Sequence, residues 1–147
     1  MSDHDVYLMD QFMDMQMSDD QEFLWVLHSY KDKGLLRSHS HPDLPLLIWN
    51  YTETCQFEKK WDDITKMCRG LVTDTNGKII AKPFGKFFNI EEKCHEPTDD
   101  FELFDKVDGS LGIIFLYEGK EIIATRGSFT SDQAKRAKEI FNETCCG

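Results

Sequence analysis

The sequence predicts an α+β fold of mostly antiparallel sheets with flanking helices, and three observations predict it. Apolar residues at 23, 24, 26, 27 and 30 recur at helical spacing ahead of Gly34. Two pairs of strand-like runs are separated by the turn signals Asn76-Gly77 and Glu118-Gly119, which read as hairpins. A second helical stretch follows Ser131. Helix, then hairpin-linked strands, then helix is the order of an α+β domain.

Each element has its own signal. Residues 9–17 are Met-rich and read as a frayed terminal helix. Asp20 is placed to cap the first long helix, which runs to about Lys33, and Gly34 stops it. Residues 44–51 read as a buried strand after His41-Pro42, and residues 61–68 as a short helix. Residues 70–73 and 78–83 form the first hairpin, and residues 84–90 an aromatic connection. Residues 101–107 read as a strand running into a tight turn. Residues 111–117 and 121–125 form the second hairpin, and the last helix runs from Ser131 through Phe141.

Composition narrows the class of function. The chain has 147 residues, enough for one domain with a real core, and is 40% hydrophobic and 30% charged, as soluble globular proteins are. No apolar run approaches the roughly 20 residues of a membrane span. Residues 1–10 are acidic and lack a basic-then-apolar signal pattern. Five cysteines, an odd number with no C-x-x-C pair, suit a reducing cytosol and argue against zinc. A cytoplasmic protein without membrane attachment is expected. The five histidines show no metal spacing, although His39 and His41 alternate on one extended segment.

The net charge of −10 argues against a protein that coats nucleic acid. The acids are clustered: residues 1–23 and 91–105 carry seven each of the 27, which leaves room for a cationic pocket elsewhere. Arg69, Lys86, Lys106 and Arg126 recur at gaps of 17, 20 and 20 residues, each in or beside an apolar or aromatic strand-like run. Several cations converging on one cleft repel one another unless a polyanion sits among them, and a nucleoside triphosphate is the obvious one. Arg69 and Lys86 are candidates to hold its phosphates. Lys106, in Lys106-Val-Asp-Gly-Ser110, is the candidate nucleophile, since neighbouring positive charge favours the neutral amine. Gly109 permits a sharp turn and close approach of a ligand. Plainer readings stand beside these. Phe84, Phe87 and Phe88 fit a core as well as a ligand face, and Arg69 has a second reading as partner of Asp74 or Glu91. Asp62-Asp63 and Glu91-Glu92 read as solvated charge pairs.

Five blocks carry a resemblance: Leu44-Pro-Leu-Leu-Ile-Trp-Asn-Tyr-Thr52, Cys68-Arg-Gly-Leu-Val72, Lys82-Pro-Phe-Gly-Lys-Phe-Phe-Asn89, Lys106-Val-Asp-Gly-Ser-Leu-Gly112 and Thr125-Arg-Gly-Ser-Phe-Thr-Ser131. In this order and spacing they resemble the N-terminal part of an ATP-dependent RNA ligase of the bacteriophage tRNA-repair type. DNA ligases and capping enzymes share the lysine motif but not the Cys-Arg-Gly-Leu-Val and Lys-Phe-Phe-Asn blocks together.

The resemblance implies the front portion of the ligase/capping-enzyme nucleotidyltransferase fold. It implies ATP and magnesium, a lysyl-AMP intermediate on Lys106, and RNA with 5′-phosphate and 3′-hydroxyl ends, tRNA in particular, as substrate. Arg69 and Lys86 match phosphate-contacting positions, Phe88 an aromatic at the nucleotide, Gly109 a close-approach backbone position and Arg126 a cation near the nucleotide. Tyr51 is a further candidate for the cleft, and Asp108 matches a position that orients the loop.

On the same resemblance, residues 1–34 form an acidic segment and helix, and residues 35–147 a partial adenylyltransferase domain. The family's later motifs are a metal-placing Glu-Gly strand, a Lys-x-Lys strand and a C-terminal RNA-holding domain. They have no counterpart in the 21 residues after Arg126. The expectation is a fragment, a truncation or half of a split enzyme completed by a second polypeptide, and little or no end joining by the chain alone. Two expectations compete with it: a non-catalytic remnant that binds a nucleotide or a partner, and, more weakly, another nucleotidyltransferase such as a DNA ligase or capping-type enzyme.

Overall fold

The computed structural model describes residues 18–92, 100, 102, 105 and 111–145. The expected elements over residues 9–17 lie outside these, as do Lys106, Gly109 and most of the strand expected over 101–107. Helix α1 spans Asp19–Asp32. Its cap is Ser18 rather than Asp20: Ser18 Oγ accepts from Gln21 N–H and Gln21 Oε1 accepts from Ser18 N–H, each at 3.2 Å. Asp20 would have faced Phe23 at the same offset, which offers no reciprocal acceptor. Gly34, at φ +77°, ends the helix as expected.

Strands β1 (Leu36–Ser40), β2 (Leu46–Tyr51), β3 (Arg69–Asp74) and β4 (Ile79–Ala81) form one antiparallel sheet in that order. Between β2 and β3 lie the short helices α2 (Glu53–Glu58) and α3 (Asp63–Met67). Strands β5 (Gly112–Tyr117) and β6 (Lys120–Thr125) form a separate hairpin, and α4 runs over Asp132–Cys145.

Several boundaries differ from expectation for local reasons. β2 starts at Leu46, because His41 Nδ1 accepts the N–H groups of Asp43 and Leu44, each at 3.1 Å, and holds that segment in a turn. That bond also commits the His41 nitrogen to the backbone. α3 starts at Asp63 because Asp62 caps it reciprocally with Thr65, leaving Trp61 outside the helix. α4 continues four residues past Phe141, its start marked by Ser131 Oγ accepting from Ala134 N–H.

Alternation in β2 divides the core. Trp49 and Tyr51 pack with Leu27, Leu36, Cys55, Cys68 and Leu71 beneath the helices. Leu46 and Ile48 face the other way, with Val72, toward Ala124 and Phe115 of the β5–β6 hairpin. The sheet is therefore covered by helices on one face and by the hairpin on the other. The buried Trp49 indole donates to Thr73 Oγ1 at 3.0 Å, so its one polar atom is satisfied. Among the described residues no helix is long and apolar enough to cross a membrane.

Asp62 does more than form a solvated charge pair. It accepts from the Tyr30 hydroxyl at 2.6 Å, tying α1 to α3, while Asp63 stays exposed. Burial pushes the Tyr30 hydroxyl up to about 12, and the Asp62 hydrogen bond adds to this. For Asp62 burial acts upward, but the bonds from Tyr30 and Thr65 prevail and its pKa is lowered. Its contribution to stability is therefore present above the ordinary carboxylate range and is lost as pH falls through the lowered folded value.

Candidate nucleotide site

The candidate site lies at one end of the four-stranded sheet, where β2 finishes and β3 begins. Asn50 pairs with Arg69 in register, after a shift between Trp49 and Asn50. Tyr51, the last residue of β2, presents its ring to two neighbours. The Arg126 guanidinium lies 4.5 Å from the ring centroid, and Trp61 meets the ring edge-on at 4.9 Å. Trp61 in turn meets Phe88 at 5.7 Å. Lys86 Nζ sits 5.2 Å from the centroid of Phe88 and 5.5 Å from that of Trp61. Tyr51, Lys86, Phe88 and Arg126, drawn from three separate blocks, thus form one contiguous set of rings and cations.

The backbone fixes these side chains. Tyr51 N–H donates to Cys68 C=O at 2.8 Å, holding the end of β2 against the start of β3. Lys86 N–H donates to Lys66 C=O at 2.7 Å, so the end of α3 holds the otherwise irregular 82–89 segment. Gly85 allows that approach, since a Cβ there would lie 2.8 Å from the same carbonyl oxygen. The Arg126 turn docks on β3 at Gly70, where a Cβ would lie 3.5 Å from Arg126 Cα.

Arg69 stands beside this set. Its guanidinium lies 5.2 Å from the centroid of Phe87, which is 54% exposed. Among the described residues, Arg69 has no carboxylate within 4.0 Å, so the Asp74 and Glu91 pairings are not formed. The same holds for Lys86 and Arg126. The aromatic segment divides as well. Phe84 is 84% exposed and belongs to no core, whereas Phe88 is half-buried against Trp61. Three cations without acidic partners among the described residues, beside aromatic faces, suit an anionic ligand carrying a flat ring.

Two residues of the site were not singled out from the sequence, Trp61 and Asn50. Trp61 joins the Tyr51 and Phe88 rings. Asn50 is 1% exposed and bonds to both Gly70 and Arg126. A polar residue inside the apolar run 46–51 was the available signal for Asn50; nothing local marked Trp61.

No cluster of three His, Cys, Asp or Glu side chains suited to a metal occurs among the described residues. Lys106 and Gly109 lie outside them, so the position of the candidate nucleophile is not described.

Comparison with known proteins addresses the family directly. The chain is 28% identical over 111 aligned residues to a protein of Autographa californica nuclear polyhedrosis virus, provisionally named a bifunctional polynucleotide kinase/RNA ligase. The alignment covers 66% of this chain and 16% of that relative, so the chain spans a small part of the viral protein's length. The family model for RNA ligase matches residues 67–145, more than half of the chain. That span contains Arg69, Lys86, Phe88, Lys106, Gly109 and Arg126, and the chain belongs to the phage-type RNA ligase family.

Proposed function

We propose that the chain carries the nucleotide-activating part of an ATP-dependent RNA ligase that joins 5′-phosphate and 3′-hydroxyl RNA ends, with tRNA as the substrate class. The observation that carries this reading is the convergence of Tyr51, Lys86, Phe88 and Arg126 around Trp61, beside Arg69. The half-buried rings of Trp61 and Phe88 offer faces to a base or ribose, with the buried Tyr51 ring behind them. The three cations offset triphosphate charge and the charge that builds on departing pyrophosphate.

The neutral amine of Lys106 attacks the α-phosphorus of ATP. An N–P bond forms, the bond to the bridging oxygen of the β-phosphate breaks, pyrophosphate leaves and the nitrogen gives up a proton. The AMP then passes to an RNA 5′-phosphate, and attack by a 3′-hydroxyl releases it as the ends join. Arg69 and Lys86 steady the phosphates, Arg126 and the rings hold the nucleoside side, and Gly109 lets the backbone approach. Magnesium would enter with the triphosphate and offset its charge, since the described residues include no side-chain cluster suited to hold it. A second polypeptide and a cytoplasmic setting belong to the same proposal.

The test is incubation with α-labelled ATP and magnesium, with any downstream portion of the protein supplied, followed by peptide mapping. Label is expected on Lys106, released by acid as a phosphoramidate is. Label on another lysine would overturn the assignment.

Arg69→Ala and Lys86→Ala are each expected to weaken labelling by about 1.5–3 kcal/mol in transition-state terms, the scale of one charge-assisted contact. The thermal midpoint should hardly move, because neither side chain has an ion-pair partner to lose among the described residues. A large drop in midpoint with unchanged ATP affinity would assign them to the fold instead.

A further inference from the structure

Among the described residues, Asn50 is the one buried polar side chain whose bonds reach the candidate site from three directions. It is 1% exposed, in the strand that ends at Tyr51. Its Oδ1 accepts from Gly70 N–H at 3.0 Å and from Arg126 Nε–H at 3.2 Å. Its Nδ2 donates to Arg126 C=O at 2.7 Å. One amide therefore grips the arginine at both backbone and guanidinium, and fastens it to β3 through Gly70. An apolar residue would fill the space but leave the Gly70 N–H and the Arg126 C=O without these bonds, and burying an amide is costly unless its bonds are made. What the amide adds is direction. With Nε committed to Asn50, the guanidinium is held against the Tyr51 ring at 4.5 Å. That leaves its terminal nitrogens as the remaining donors for a ligand.

We infer that Asn50 is a positioning residue that sets the place of the Arg126 cation for the nucleotide. This rests on the ATP-binding reading above. An amide is required at position 50. It accepts from Nε–H without adding charge, and it donates to a carbonyl, which a carboxylate cannot do. Asn50→Asp keeps the size, but sets a negative charge against Arg126 and an oxygen against its carbonyl. Asn50→Ala frees the guanidinium without neutralising it.

The experiment measures ATP affinity by calorimetry on the full chain for Asn50→Ala and Asn50→Asp, each alone and combined with Arg126→Ala. Thermal midpoints and the Arg126 Nε–H resonance are recorded alongside. Each Asn50 variant is expected to weaken ATP about tenfold, the Asp variant more than the Ala variant despite its closer shape. With Arg126→Ala already present, the Asn50 changes should add less than about twofold, because coupled residues do not add. The Nε–H signal is expected to exchange slowly in the parent chain, where Asn50 accepts from it, and fast in Asn50→Ala.

Several results would overturn the role. They are affinities equal to the parent's, effects that multiply in the Arg126→Ala background, or losses that merely follow the midpoint. If Asn50→Ala does not fold, the Asp variant and its double mutant decide. A parent chain that binds no ATP would overturn the nucleotide reading itself and this role with it. A parent that binds ATP normally while Asn50 proves neutral would overturn the role alone.

Discussion

Lys106→Ala should abolish transfer of AMP to the protein while leaving ATP bound. Removing a covalent nucleophile costs on the order of 10⁴–10⁶ in rate, which places labelling below detection. Binding should persist within a few-fold, because the proposed phosphate contacts, Arg69 and Lys86, and the Arg126–Tyr51 pair are all untouched. The split between lost chemistry and retained affinity is what identifies a nucleophile, since a residue that only binds would lose both together. Lys86 is the natural competitor because it stands in the site. Its Nζ, however, is engaged over both Trp61 and Phe88, at 5.5 and 5.2 Å from the ring centroids. Full labelling of Lys106→Ala, with label recovered on Lys86 or elsewhere, would sink the assignment. The assay needs only gel separation of labelled protein and a parallel calorimetric titration.

The parts of the site that were legible in the sequence are those whose chemistry is local. A cation in an aromatic run, or a glycine after a lysine and an acid, is visible within a five-residue block. Arg69, Lys86 and Arg126 stand out as candidates in that way, whereas Phe88 is told from Phe87 only by the family resemblance. The hairpins were legible for the same reason, since Gly77 and Gly119 adopt positive φ at the expected turns. What depends on distant partners was not legible. β1 carries one buried apolar residue, Leu36, and becomes a strand through its pairing with β2. α2 is six residues long with only Cys55 buried and Phe57 89% exposed, too short and too irregular for a periodicity. Trp61 acquires its place because Asp62 caps the following helix and so leaves it outside. The partners of Asn50 lie 20 and 76 residues away. No window of local sequence contains such a contact.

Two glycine substitutions should separate the framework from the site. Gly70→Ala is expected to cost about 2–4 kcal/mol of stability. Its φ of +84° is unfavourable for any side chain, and its methyl would lie 2.7 Å from Ile113 Cδ1. Ile113 is itself only 6% exposed and has little room to withdraw. The strain falls between β3 and the β5–β6 hairpin, beside Arg126 Cα and the N–H that Asn50 accepts from. ATP affinity should therefore fall even in the molecules that remain folded.

Gly77→Ala should be at least as destabilising. At φ +94° its Cβ would overlap the Asp20 carbonyl oxygen, so the β3–β4 turn must part from the start of α1. That turn lies at the opposite end of β3 from Arg69. The ATP affinity of folded Gly77→Ala should match the parent. Denaturant titration gives the two stabilities, and calorimetry well below each midpoint gives the two affinities. A Gly70→Ala protein as stable as the parent would show that the close approach of the hairpin to β3 is not made as described. An affinity loss in Gly77→Ala equal to that in Gly70→Ala would show that nucleotide binding follows overall stability rather than the geometry around Asn50, Tyr51 and Arg126.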